Sequence, residues 1–219
     1  MKTALIFGSS GLVGSHLLDL ITQDNNYSKI KLYVRSEPKK VNSKFEIIKV
    51  DFNKLEDYKD SINGDDCFFC IGTTRKNNPD KNEYIKVEYN LPVSVAKMAK
   101  SNSVNNFIYV SSLGANPNAT SLYLKNKGKA EEELVKLNFT NLSILRPSIL
   151  VGNRKENRLG EKIGIFAMKT FSPLFFGNMK KYKPINVENV AKSMLQVAQK
   201  HYQNNIFESD EIVRIGTDV

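Results

Sequence analysis

Short, continuous apolar runs recur along this 219-residue chain, and the segments between them change to helical period. The runs are TALIF (3–7), IKLYV (30–34), FEIIKV (45–50), DCFFCI (66–71), NFIYVS (106–111) and NLSIL (141–145). Unbroken apolar character, rather than alternation, is what a strand shows when helices cover both faces of its sheet. LVGSHLLDLI (12–21) and PVSVAKMAKS (92–101) instead space their apolar residues for one face of a helix. Strand and helix in turn predict an α/β fold built on a doubly wound parallel sheet.

The length suits a single domain, 1–219, with its own core. In VEYNLPVSVAKMAK (87–100) a central Pro92 would break a long helix, so the helix is expected to start near Glu88, with the proline in or just after its first turn. Beyond NLSIL the rhythm loosens. Residues 153–183 combine charged loop residues with IGIFAMKTFSPLFFG (163–177), a segment that either covers a cleft on the substrate side or packs as a plain helix. The tail reads as a short strand, an amphipathic helix in KPINVENVAKSMLQVAQK (183–200), and a closing strand in NNIFESDEIVRIG (204–216).

Composition narrows the function classes. No apolar run reaches the roughly 20 residues that cross a bilayer, and no secretory h-region forms before the first glycines, so a soluble, cytoplasmic protein with no membrane partner is expected. The net charge is +9, but the lysines are scattered and mixed with acids, as in KAEEELVKLN (129–138), which fits a solvated surface better than a nucleic-acid interface. A basic surface still favours a polyanionic small molecule. Cys67 and Cys70 lie in a strand-like segment, where residues three apart face opposite sides, so neither a shared disulfide nor a shared metal is expected. His16 and His201 read as helix-surface residues.

Between the first strand and the first helix stands FGSSGLVG, with glycines at 8, 11 and 14. At a strand-to-helix junction Gly8 permits a tight turn, Gly11 lets a pyrophosphate approach the backbone, and Gly14 allows close helix–sheet packing, while the helix N-terminus offers amides to the anion. Gly8, Ser10, Gly11, Leu12 and Val13 are therefore candidate dinucleotide contacts. A site for NAD would end the second strand in an acid; here the strand ends in RSEPKK, and Arg35, with Lys39 or Lys40, suits a 2′-phosphate. Glu37 dissents. Asp51 and Phe52 close the third strand, where they could bond and flank an adenine, and Gly72, Thr73 and Thr74 follow the fourth, within reach of phosphate or ribose.

The fifth strand ends in Ser111 and Ser112, and the helix after it carries Tyr123 and Lys127 four residues apart, on one face. A free tyrosine titrates near 10, too high for efficient proton transfer at neutral pH, and an adjacent ammonium lowers it. Tyr123 is thus a candidate general acid or base. Either serine could hydrogen-bond a substrate carbonyl at the carboxyl edge of the sheet.

With its glycine turn, strand-end serines and Tyr123-x-x-x-Lys127, the chain resembles the extended and atypical short-chain dehydrogenase/reductases, proteins with an NAD(P)-binding Rossmann fold. CIGTTR, YVSSLGA, LYLKNKGKAEEEL and LSILRPSILVGNRKENRLGE are similar to the small atypical members related to a Tat-interacting tumour-suppressor protein. The resemblance spans nearly the whole chain. It implies NADPH as cofactor, Tyr123 and Lys127 as the acid/base pair, Ser112 as the carbonyl-orienting serine with Ser111 as alternate, and Pro147 beside the nicotinamide with Arg146 supporting its turn. No position matches the family's asparagine; Asn90 is a candidate for a structural role. The expected activity is NADPH-dependent reduction of a small-molecule carbonyl. The alternative is a non-catalytic NADPH-binding regulator that acts on a protein partner.

Overall fold

A computed structural model describes residues 1–38, 41–74, 78–152 and 177–217. Seven parallel strands form one sheet in the order β3-β2-β1-β4-β5-β6-β9. They are β1 (Lys2–Phe7), β2 (Tyr27–Val34), β3 (Phe45–Lys49), β4 (Asp66–Phe69), β5 (Asn106–Val110), β6 (Asn141–Arg146) and β9 (Ile206–Glu208). A small second sheet pairs β7 (Leu150–Val151) with β8 (Ile185–Asn186). The expected doubly wound architecture is therefore present. Strand order reverses between β1 and β4, and in such sheets the crevice at that switch point receives the ligand.

Alternate residues of each strand feed two cores. Ala4 and Ile6 of β1 pack with α1 (Leu12–Gln23) and α5 (Val187–Gln199), while Leu5 and Phe7 face the other side with α3 (Leu91–Ser101) and α4 (Leu122–Lys136). Phe7 stacks on Tyr33 at 4.2 Å between ring centroids. Lys31, between the buried Ile30 and Leu32 of β2, buries its stem and donates from Nζ to Asn63 Oδ1 (2.8 Å) and to the carbonyls of Ser61 and Asn63 (both 3.1 Å). At the amino edge of the sheet the buried Asp66 accepts from Tyr27 (2.6 Å), Lys2 (3.0 Å) and Asn106.

Two expectations change. The helix holding Pro92 starts seven residues before Glu88, at Lys81, where the Asp80 side chain accepts from the amide of Glu83 (2.8 Å). α2 (Lys81–Ile85) passes through a π-helical turn (Lys86–Asn90) into α3, so Pro92 lies just past a widened turn that absorbs its missing N–H and ring bulk. The closing strand is three residues long, because Ser209–Thr217 forms a further helix, α6, whose Ile212 and Ile215 recur at helical spacing and are buried. Cys67 lies in β4 and Cys70 just beyond it, both as free thiols. Lys39, Lys40 and most of 153–183, at 153–176, lie outside the described residues.

Candidate functional site

At the glycine turn, Gly8 has φ +91°, and a Cβ there would sit 2.9 Å from the Cys70 carbonyl carbon and the Ile71 nitrogen. A Cβ on Gly14 would lie 2.1 Å from the Gly8 oxygen, so α1 meets β1 backbone to backbone. Gly11 is the N-cap of α1; its amide donates to the Gly8 carbonyl (3.0 Å). Among the described residues no side chain caps α1 and no acid occupies its first turn, which suits the positive end of the helix to an anion. Ser10 is exposed, Leu12 half-buried and Val13 buried in the core. Arg35 is exposed just past β2. Asp51 caps the following 3-10 turn, accepting from the amide of Asn53 (2.9 Å), with the half-buried Phe52 next to it. Gly72 is exposed, and Thr73 and Thr74 are half-buried, beyond β4.

The second cluster is organised by α4. Tyr123, Lys127 and Glu131 follow at intervals of four and so share one face. Lys127 is buried; its Nζ donates to the Val110 carbonyl (3.1 Å), lies 3.1 Å from Glu88 Oε2, and stands 4.7 Å from the centre of the Tyr109 ring. Burial works against its charge, but Tyr109, Glu88 and Tyr123 together outweigh that and hold the ammonium well above the usual lysine range. One turn on, the buried Glu131 receives both the Arg146 guanidinium and the Ser111 hydroxyl. Arg146, which was expected to support the Pro147 turn, thus binds β6 to α4, and the pairing raises its pKa. Pro147 is buried, and its carbonyl accepts from the amide of Leu113 (2.9 Å).

The two strand-end serines therefore differ. Ser111 is buried and committed to Glu131, whereas Ser112 is half-buried and its hydroxyl reaches no nearer than 3.5 Å to the Leu113 carbonyl. Gly128 lets the loop after Ser112 lie on α4, since a Cβ there would be 2.3 Å from the Asn116 carbonyl carbon. Tyr123 is half-buried at the start of the helix.

Sequence reasoning missed Glu88 and Glu131. Glu88 is wholly buried in the π-helical turn; one carboxylate oxygen accepts from the Thr73 amide while the other faces Lys127. Asn90, the residue considered instead, is exposed. Glu131 was legible as the next step of the Tyr123–Lys127 spacing, but in KAEEELVKL it reads as one of three solvated acids.

A family described as NAD(P)H-binding matches residues 8–201. Protein HTATIP2 of Rattus norvegicus is 32% identical over 224 residues, covering 99% of this chain and 90% of its own length. Protein FMP52, mitochondrial, of Candida albicans is 28% identical over 226 residues, covering 99% of this chain and 95% of its own. Among solved structures, the Bordetella bronchiseptica enzyme WbmH in complex with NAD+ superposes with a TM-score of 0.72 over 95% of this chain and 75% of that one, at 16% identity, a likeness of fold. The expectation of a cytoplasmic protein is corrected by these matches. The FMP52 relatives are named mitochondrial, and no described helix is long and apolar enough to cross a membrane.

Proposed function

Because the chain belongs to the NAD(P)H-binding family, we propose that it is an NADPH-dependent oxidoreductase that reduces a small-molecule carbonyl. The observation that carries this reading is the pairing of a buried, charged Lys127 with Tyr123 on one helical face, beside Ser112, whose hydroxyl makes only a long, 3.5 Å hydrogen bond to the Leu113 carbonyl.

The residues present fit a dinucleotide. The uncapped first turn of α1 and the side-chain-free surface at Gly11 would receive the pyrophosphate, and Arg35 the 2′-phosphate of NADPH, with Asp51 and Phe52 at the adenine end. Gly72, Thr73 and Thr74 border the ribose side, and Pro147 the nicotinamide. When bound, the cofactor supplies a hydride for the carbonyl carbon. Ser112 donates a hydrogen bond to the carbonyl oxygen and orients it. Tyr123 gives its phenolic proton to that oxygen as negative charge develops, and the Lys127 ammonium stabilises the phenolate left behind. Ser112 is preferred over Ser111 because freeing Ser111 would strip a hydrogen bond from a buried carboxylate.

Tyr123→Phe tests the mechanism. Loss of the acid should lower turnover by about 10²–10⁴-fold while NADPH affinity stays within about twofold of wild type. An unchanged rate removes Tyr123 from the chemistry. Failure to oxidise NADPH with any carbonyl of a broad panel, alongside tight binding that depends on a protein partner, would favour the regulatory reading.

A further inference from the structure

Glu88 has no place in the chemistry described so far, and its surroundings are unusual. It is wholly buried in the π-helical turn, where the extra residue per turn re-aims side chains relative to α2 and α3. A buried carboxylate is a poor way to gain stability, since apolar residues of similar size generally serve as well. Here its two oxygens join two functional segments: one accepts from the backbone amide of Thr73, in the loop after β4, and the other is 3.1 Å from Lys127 Nζ on α4. The loop it holds packs close, with the Gly72 Cβ position 3.5 Å from Glu88 Oε1.

The groups around Lys127 show what Glu88 contributes. Tyr109 faces it from β5, Cys70 from the end of β4, Tyr123 from the preceding turn of α4, and the Val110 carbonyl from the end of β5. Burial pushes Tyr109 and Cys70 both up to about 12, against the pull of the ammonium itself. Near neutral pH these two are uncharged, and among the described residues Glu88 is the carboxylate in contact with Lys127.

We propose that Glu88 is a positioning residue: it keeps the buried Lys127 charged beneath Tyr123 and ties it to the Thr73 amide, so that the proton donor and the loop at the ribose side of the cofactor are set as one unit. Its effect on turnover rests on the reductase reading; its effect on Lys127 does not.

The test uses the full chain without cofactor, as wild type, Glu88→Gln, and Glu88→Gln combined with Lys127→Met. Glutamine keeps the shape and an acceptor for the Thr73 amide but removes the charge. In Glu88→Gln burial is no longer balanced, so the folded Lys127 binds its proton less well than the unfolded one. The melting temperature should then climb as pH rises from roughly 6 to 10, relative to the double variant, which has no lysine to titrate. Coincident curves for the two variants would overturn the proposal. Should Glu88→Gln fail to fold, Lys127→Met gives the mirror test. It strands the carboxylate, and its melting temperature should climb relative to the double variant as pH falls from about 8 to 5; a flat difference overturns the proposal equally. A second readout is the ratio of Glu88→Gln to wild-type turnover, which should fall at least about tenfold between roughly pH 6 and 8.5 as Lys127 loses its proton. Parallel melting curves refute the role of Glu88 even if Tyr123 proves catalytic, and a wild-type chain that oxidises NADPH with no carbonyl of a broad panel refutes the reductase reading even if the curves diverge.

Discussion

The glycines of the first turn separate into folding and binding roles, and alanine at 11 and at 14 tells them apart. Gly14 lies in the third position of α1, where a new Cβ meets the Gly8 carbonyl oxygen at 2.1 Å and its carbon at 2.8 Å. These are backbone atoms at the end of β1 and cannot swing aside, so helix and strand must part. Overpacking of this kind costs about 3 kcal/mol at its upper end, and alanine returns about 1 kcal/mol in helix propensity, leaving a net loss of about 2 kcal/mol. For a chain of this size that is a fall in melting temperature of about 4–8 °C. Gly11 has φ −75°, open to any residue, and its Cβ would touch one atom, the Gly8 oxygen, at 3.2 Å. Alanine there should cost about 1 kcal/mol or less, most of it through the N-cap preference, or about 2–4 °C. Yet the Gly11 methyl would stand over the amides offered to the pyrophosphate, so NADPH affinity should drop at least about tenfold, equivalent to about 1.4 kcal/mol. Scanning calorimetry and titration of nicotinamide fluorescence measure the two effects separately. If Gly11→Ala binds NADPH as wild type does, the pyrophosphate does not sit at Gly11. If Gly14→Ala melts with wild type, the close approach of α1 to β1 is wrong.

Arg35→Ala should weaken NADPH about 10–100-fold, the loss of one or two charge-assisted hydrogen bonds, and leave NADH nearly unchanged; equal losses for both would remove Arg35 from cofactor discrimination. Glu131→Gln strands the Arg146 guanidinium in a partly buried position and weakens the tie between β6 and α4, so it should cost about 2–4 kcal/mol in urea unfolding, while a loss under 1 kcal/mol would mean that the pair is solvated. Cys67 is wholly buried, which holds its thiol well above the usual range, so alkylation near neutral pH should spare it in the native chain and modify it in denaturant; rapid native labelling of Cys67 would contradict its packing. Lys31 is held below the lysine range by burial, so the unfolded chain binds that proton more readily and the residue's contribution to stability grows as pH rises toward its ordinary pKa. The stability gap between wild type and Lys31→Met should therefore shift in favour of wild type from roughly pH 8 to 10, and a constant gap would refute it.

What the sequence made legible and what it concealed divide along a physical line. Strands such as NFIYVS and the glycine turn are local: apolar continuity and the absence of a Cβ mark them without reference to any distant residue. Tyr123 and Lys127 are local too, because a helix fixes their common face. Glu88 was concealed because its burial follows from a π-helical turn, and a one-residue change of phase hides from any reading at 3.6 residues per turn. In VEYN it looks like an ordinary acid near a helix start, and Pro92 strengthened that reading by suggesting that the helix began there. Glu131 was concealed because its partners, Ser111 and Arg146, are twenty and fifteen residues away and meet it only once β5, β6 and α4 are assembled.

Those two acids also give the face of α4 its order. Tyr123 stands half-buried at its open end, Lys127 is neutralised by Glu88, and Glu131 is neutralised by Arg146, so each buried charge along the stripe is matched by one delivered from a different element. Because Glu131 also occupies the Ser111 hydroxyl, the same arrangement that anchors the helix leaves Ser112 as the serine with a hydroxyl to offer. The choice between the two serines, which spacing could not make, thus turns on an ion pair one turn beyond the lysine. Ser111→Ala should accordingly lower stability by about 1–2 kcal/mol, by leaving the carboxylate short of a donor, with little change in turnover, while Ser112→Ala should reverse that pattern. If Ser111→Ala abolishes turnover in a chain that still melts like wild type, the assignment is inverted and Glu131 must release its serine when substrate binds.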